Sequence, residues 1–176
     1  MKNTSKITLC AITAALCAVV MLTSYFPYLT YAIPAIAGLI IMVPLIEVGS
    51  AWGFAAYAVS GVLALIFGET QSSILYICLF GYYPVLKAVI ERIRKPLPEW
   101  IIKLVVFNLA AVAAYFVMSK LFLVSLSDFG TFGIYGAIIT LVICNIAFVL
   151  YDIAISRVAA LYMYRLHGSI KKVLNK

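Results

Sequence analysis

From Ile7 to Phe26 the chain reads ITLCAITAALCAVVMLTSYF, twenty residues without a charge. At 1.5 Å per residue such a run forms a helix about 30 Å long, the thickness of a bilayer's hydrocarbon core. Lys2 and Lys6 give it a short basic start. Ala35-Ile36-Ala37 imitates a signal-cleavage site but lies far beyond the apolar run. The rest of the chain is equally hydrophobic, so an uncleaved helix is expected.

Composition extends this reading to the whole chain. Of 176 residues, 66% are hydrophobic and 11% charged, with a mean hydropathy of +1.14. Soluble domains are about 45–50% apolar and about 25% charged. A water-soluble fold of this length could not hide so much apolar surface, so lipid must cover much of it. The length suits a single transmembrane domain over residues 1–176.

Working outward, the apolar runs divide at their polar breaks into six spans, near 7–26, 32–48, 51–67, 73–91, 100–123 and 132–165. The second is short and carries Pro34, Gly38 and Pro44, which also suits a bent or partly re-entrant segment. Pro84 is expected to kink the fourth. Arg92-Ile93-Arg94-Lys95-Pro96-Leu97-Pro98-Glu99 and Ser125-Leu126-Ser127-Asp128-Phe129-Gly130 read as loops. The sixth run exceeds what a bilayer requires, so its last turns are expected to project beyond it.

Charge then fixes an orientation. With the amino terminus inside, Lys2, Lys6, Lys87, Arg92, Arg94, Lys95, Lys103, Arg157, Arg165, Lys171, Lys172 and Lys176 all fall on the cytoplasmic side. Lys120 is the one exception. Such a bias follows the positive-inside rule and requires an even number of spans. The sequence therefore predicts an all-α membrane bundle of six helices with both termini cytoplasmic. The net charge of +7 does not mark a nucleic-acid binder, whose cations cluster on a solvated face. Anionic lipid head groups are the expected partner of that charge.

Enzyme signatures are missing: there is no H-E-x-x-H, G-x-S-x-G or P-loop, and no pair of acids is set for acid/base work. Cys10, Cys17, Cys78 and Cys144 lie in apolar runs without metal spacing, and His167 stands alone in a basic tail. No catalysis, cofactor or metal is expected.

The remaining polar and small residues carry more information. Ala11/Ala15 and Ala14/Ala18 form two small-x-x-x-small pairs on the first helix. Such pairs allow close helix approach in lipid, either within the bundle or against a partner. Tyr28 and Tyr31 lie in a Pro-containing external loop, where an aromatic belt or a lid over a pocket would each use them. Asn108 and Asn145 fall toward the middle of the fifth and sixth helices. They either bond across helices or line a ligand site with Tyr76, Tyr83, Tyr115 and Tyr135. Glu69, Lys120 and Asp128 are the charged groups on the external side. Glu47, Lys87, Asp152 and Arg157 sit at cytoplasmic helix ends. There, Lys87 is spaced to pair with Glu91 and placed to meet Asp152.

Six spans, cytoplasmic termini, the alanine pairs and a charged loop after the fourth span together resemble the substrate-binding S components of energy-coupling factor (ECF) transporters. The resemblance is one of architecture over nearly the whole chain. It implies capture of a small water-soluble vitamin or related micronutrient. It also implies docking on a transmembrane coupling subunit driven by two cytoplasmic ATPases. By this resemblance, Ala-x-x-x-Ala on the first helix docks the coupling subunit, in either register. The ligand would lie near the external surface, among the last three helices and the first, third and fifth loops. Tyr28, Tyr31, Glu69, Tyr76, Tyr83, Asn108, Tyr115 and Asn145 are the residues expected there. The alternative is a membrane scaffold similar to the rod-shape-determining membrane proteins, which would need no ligand.

Overall fold

In the computed structural model, α1 (Asn3–Leu22) continues through a 3-10 turn at Thr23–Tyr25 and lies alongside α4 (Ser50–Phe67). The structure describes residues 3–26, 28–122, 133–168 and 170, with the backbone alone given for 121, 122, 133–135 and 137. The buried face of α4 is Gly53, Ala56, Ser60, Gly61 and Ala64. Opposite it, α1 buries Thr13, Ala14, Cys17 and Met21. Small side chains let the two backbones approach, which is how helices gain contact where lipid removes the hydrophobic drive. The Cys10 thiol donates to the Trp52 carbonyl (3.6 Å), and the Tyr25 hydroxyl donates to the Gly68 carbonyl (3.3 Å). Matched ends mean that α1 and α4 run parallel.

Between them the chain returns through α2 (Ala32–Ile40) and α3 (Met42–Glu47). The break at Ile41 has a local cause, since Pro44 has no N–H to give the carbonyl four residues earlier. Together Ala32–Glu47 is an apolar run of about 24 Å, shorter than a bilayer core. Gly38 is required on this segment because a Cβ there would meet the Phe80 carbonyl and the Tyr151 hydroxyl.

Glu69 caps α5 (Thr70–Leu75), its carboxylate accepting from the Gln71 and Ser72 N–H groups at 3.0 and 2.8 Å. A π-helical turn at Tyr76–Phe80 interrupts the span before α6 (Tyr83–Ile90). Carbonyls displaced by such a turn need new donors inside a membrane. Tyr57 supplies one, its hydroxyl 2.8 Å from the Ile77 carbonyl. Tyr151 supplies another, its hydroxyl 3.3 Å from the Phe80 carbonyl. The interruption therefore precedes Pro84, which was expected to be the kink. Pro84 instead opens the next helix, where a missing N–H costs nothing.

After a 3-10 turn at Glu91–Ile93 come α7 (Pro96–Phe122) and α8 (Gly133–Arg165). Pro96–Glu99, read as loop from the sequence, forms the first turn of α7. Five helical stretches are long and apolar enough to cross a membrane, and no strand occurs among the described residues. Lys87, Glu91 and Arg92 gather with Gly49 and Ser50 around one cavity, so the ends of α3 and α6 and the start of α4 share one end of the bundle. Lys103, near the start of α7, joins them through Glu91. Lys120 closes the far end of α7.

Candidate functional site

The polar residues of α7 and α8 resolve into two sites. Asn108 and Asn145 exchange reciprocal amide hydrogen bonds, Nδ2 to Oδ1, at 3.0 and 3.1 Å. Each Nδ2 also donates to the carbonyl four residues back, Leu104 or Leu141, at 2.8 Å. Both donors of each amide are thus used, while each carboxamide oxygen accepts one of the two bonds it can take. The pair fixes the crossing of the two helices and leaves acceptor capacity beside it.

That capacity borders a cavity of about 350 Å³ between α5 and its π turn, α7 and α8. Leu75, Leu79, Phe107, Val112, Met118 and Leu141 make most of its wall. Ala111 and Ala114 open the space, and the polar groups are Asn108, Tyr115 and Thr140. Apolar walls with a few placed polar groups are the usual makeup of a small-molecule site. Phe107 stacks on Phe148 with ring centroids 4.2 Å apart and planes at 19°. Phe148 in turn meets Tyr83 edge-on at 4.9 Å.

Tyr83 leads into the second site. Its hydroxyl donates to Asp152 Oδ1 at 2.5 Å. Lys87 Nζ reaches the same oxygen at 2.7 Å, the Asp152 carbonyl at 2.7 Å and Ser156 Oγ at 2.8 Å, which fills its three donors. Lys103 Nζ lies 2.8 Å from Glu91 Oε1 and 3.2 Å from Asp152 Oδ1. Lys87, Lys103 and Asp152 are 3%, 3% and 4% exposed. Two cations and two carboxylates balance, as charges shielded from water must. The predicted Lys87–Glu91 and Lys87–Asp152 pairs are both present, the first at 3.4 Å. Lys103, which the sequence marks only as a topology cation, is also a member. The arrangement is a charge-balanced ionic knot in which every Lys87 donor is taken.

The other expected site residues are dispersed. Tyr76 is fully buried with Met21, Ile33, Ala37 and Ala64, its hydroxyl 2.6 Å from Ser60 Oγ. Tyr83 belongs to the knot, and Glu69 caps α5. The Tyr31 hydroxyl accepts from Gln71 Nε2 at 3.2 Å, tying the tyrosine loop to α5. Tyr28 is 97% exposed with φ +73°. Asn108 and Tyr115 meet at the cavity, with Asn145 bonded beside it. The side chain of Tyr135, and Asp128 with its loop, lie outside the described residues. On α1, Ala14 is buried and Ala18 half-buried, whereas Ala11 and Ala15 are exposed. His167, expected to stand alone, places Nδ1 2.9 Å from Glu47 Oε1, which also accepts from the Tyr162 hydroxyl at 2.7 Å. No sequence signal links residues so far apart in the chain.

No metal-ligating group of three or more His, Cys, Asp or Glu side chains occurs among the described residues. No family model, curated protein or solved structure matches this chain.

Proposed function

We propose that the protein is a substrate-capture subunit of an ECF-type importer. It crosses a bacterial plasma membrane six times with both termini in the cytoplasm. It takes a small water-soluble vitamin or related micronutrient from outside. The observation that carries this reading is the cavity between α5, α7 and α8, with the Asn108–Asn145 pair at its edge. Its wall favours an uncharged ring system that the Tyr115 and Phe107 side chains can face. One or two polar atoms of the ligand would use the spare amide acceptors. Dissolved nutrients reach such a site from the Lys120 end of the bundle.

Tyr28 supports a role for the first external loop. A bulky residue at positive φ costs about 1–2 kcal/mol, and this 97% exposed ring makes no compensating contact among the described residues. Its place is that of a lid residue whose partner is the ligand. The exposed Ala11/Ala15 register fits docking on a coupling subunit, which with two cytoplasmic ATPases supplies energy. Ala14 serves the packing of the bundle itself.

Mass spectrometry of small molecules co-purifying in mild detergent tests the reading. A bound nutrient should be present in the native protein and lost from Ala111→Phe, which fills the cavity. Absence of any such molecule, together with recovery of cell-wall synthesis proteins and no ATPase pair, would instead favour the scaffold. Ala11→Trp with Ala15→Trp should abolish assembly with the coupling subunit while ligand binding persists. Assembly at normal yield would remove that face from docking.

A further inference from the structure

A second cavity, of about 420 Å³, lies at the opposite, basic end of the bundle between α3, α6 and α8. Its walls are divided. Met42, Leu45, Ile46 and Ile155 make an apolar portion, while Ser50 and Arg92 are among the polar groups around it. The ionic knot borders this cavity through Lys87 and Glu91, but its charges already cancel and the Lys87 donors are taken. What remains is Arg92. Among the described residues, no carboxylate pairs with it and no hydrogen bond occupies its guanidinium. The Ser50 hydroxyl is likewise unbonded among the described residues.

The start of α4 adds to this charge. Its N-cap is Gly49, held at φ +117°, and no side chain caps the first-turn N–H groups. Unsatisfied N–H groups carry the positive end of the helix dipole, which suits an oxyanion. A free cation, a free hydroxyl and an uncapped helix start thus face a cavity whose other walls are hydrocarbon. Neither a soluble anion nor an acyl chain alone matches both portions.

We propose that this cavity binds the head group of an anionic phospholipid. The phosphate takes Arg92, Ser50 and the first turn of α4, and the glycerol and upper acyl carbons lie on Met42, Leu45 and Ile155. Lipid phosphates sit at the depth where helices end, and basic pockets between spans at that level are suited to them. The site is separate from the cavity beside Asn108, and it stands or falls apart from the transport reading.

The test uses the full-length protein in nanodiscs of mixed phosphatidylglycerol and phosphatidylcholine. Lipid retained through mild detergent extraction is counted by native mass spectrometry. Phosphatidylglycerol should be enriched on the native protein. Arg92→Gln should lower that enrichment about fivefold, the weight of one basic side chain at an anionic surface. Ala88→Trp, which fills the cavity, should remove the tightly held lipid while the thermal unfolding midpoint is kept. If Ala88→Trp does not fold, Ser50→Leu serves the same purpose from the other wall. Equal enrichment in the native protein and Arg92→Gln would overturn the site, because the lipid would then be general annular lipid. Displacement of the lipid by millimolar inorganic phosphate would also overturn it, assigning the cavity to a soluble anion.

Discussion

The polar contacts Lys103–Asp152 and Asn108–Asn145 both join α7 to α8, and they differ in what they leave unspent. At the basic end, Lys103 and Asp152 belong to a knot whose charges cancel and in which Lys87 has every donor occupied. Toward the far end, Asn108 and Asn145 hold one another without charge, and Asn108 keeps acceptor capacity at the wall of a cavity. The setting makes both matter. Only 17% of the most apolar stretch of α7, and likewise of α8, is buried, against 50% for Thr70–Ile93. These two helices gain little from packing, so polar contacts decide where they meet. A closed network fastens the helices. An open one positions them and leaves a place for something else to bind.

The largest effect should come from opening the knot. Asp152→Ala leaves Lys87 and Lys103 buried with only half-exposed Glu91 to share, a loss of about 3–5 kcal/mol. Thermal unfolding in detergent should show it as a sharply lowered midpoint. Removing both members of the tight pair, Lys87→Met with Asp152→Leu, should recover most of the loss, because no orphaned charge remains between them. If the double variant is no better than Asp152→Ala, the knot is not a charge-balanced unit.

A smaller effect is expected from Tyr83→Phe, which removes one hydrogen bond to a carboxylate. Such bonds contribute about 1.5–3 kcal/mol, and the same unfolding measurement reads the change. Because Tyr83 also packs edge-on against Phe148 and the ring is kept, the loss should stay in that range. A drop as large as that of Asp152→Ala would mean that the hydroxyl, not the lysines, holds the carboxylate in place.

The smallest change in stability should follow Asn145→Ala. Interhelical hydrogen bonds in membranes average about 0.6 kcal/mol, so the unfolding midpoint should barely move. Ligand retention in the neighbouring cavity should nevertheless fall, since Asn108 then loses its aim. Large destabilisation with unchanged retention would make the amide pair a second fastener and erase the contrast.

The parts of this arrangement that were legible in the sequence share a physical origin. Hydrophobic run length follows from lipid acting as solvent, and it reads directly from residue order. The Lys87–Glu91 spacing is a property of one helix, so it too could be read. Lys103 could not be assigned, because its carboxylates are on other segments and nothing local distinguishes it from a topology cation. The same holds for His167 and Glu47, brought together only by the fold. The π turn at Tyr76–Phe80 has no local signature. Its support comes from Tyr57 and Tyr151, on helices whose approach the sequence does not announce. Which of the paired alanines packs inside the bundle became clear only once α4 covered one flank of α1, burying Ala14 and leaving Ala11 and Ala15 exposed. Of the expected ligand residues, Asn108 and Tyr115 on α7 meet at one cavity, with Asn145 of α8 bonded to Asn108. Tyr76 and Tyr83 are drawn into packing because a buried hydroxyl found a nearer partner.

The contrast between a fastened basic end and an open far end has its proposed meaning only if a bilayer separates them. Single cysteines at positions 28 and 94, in a background with Cys10, Cys17, Cys78 and Cys144 replaced by alanine, test this with a membrane-impermeant maleimide on intact cells. Tyr28→Cys should label and Arg94→Cys should label only after lysis. Labelling of both positions on intact cells would contradict the account.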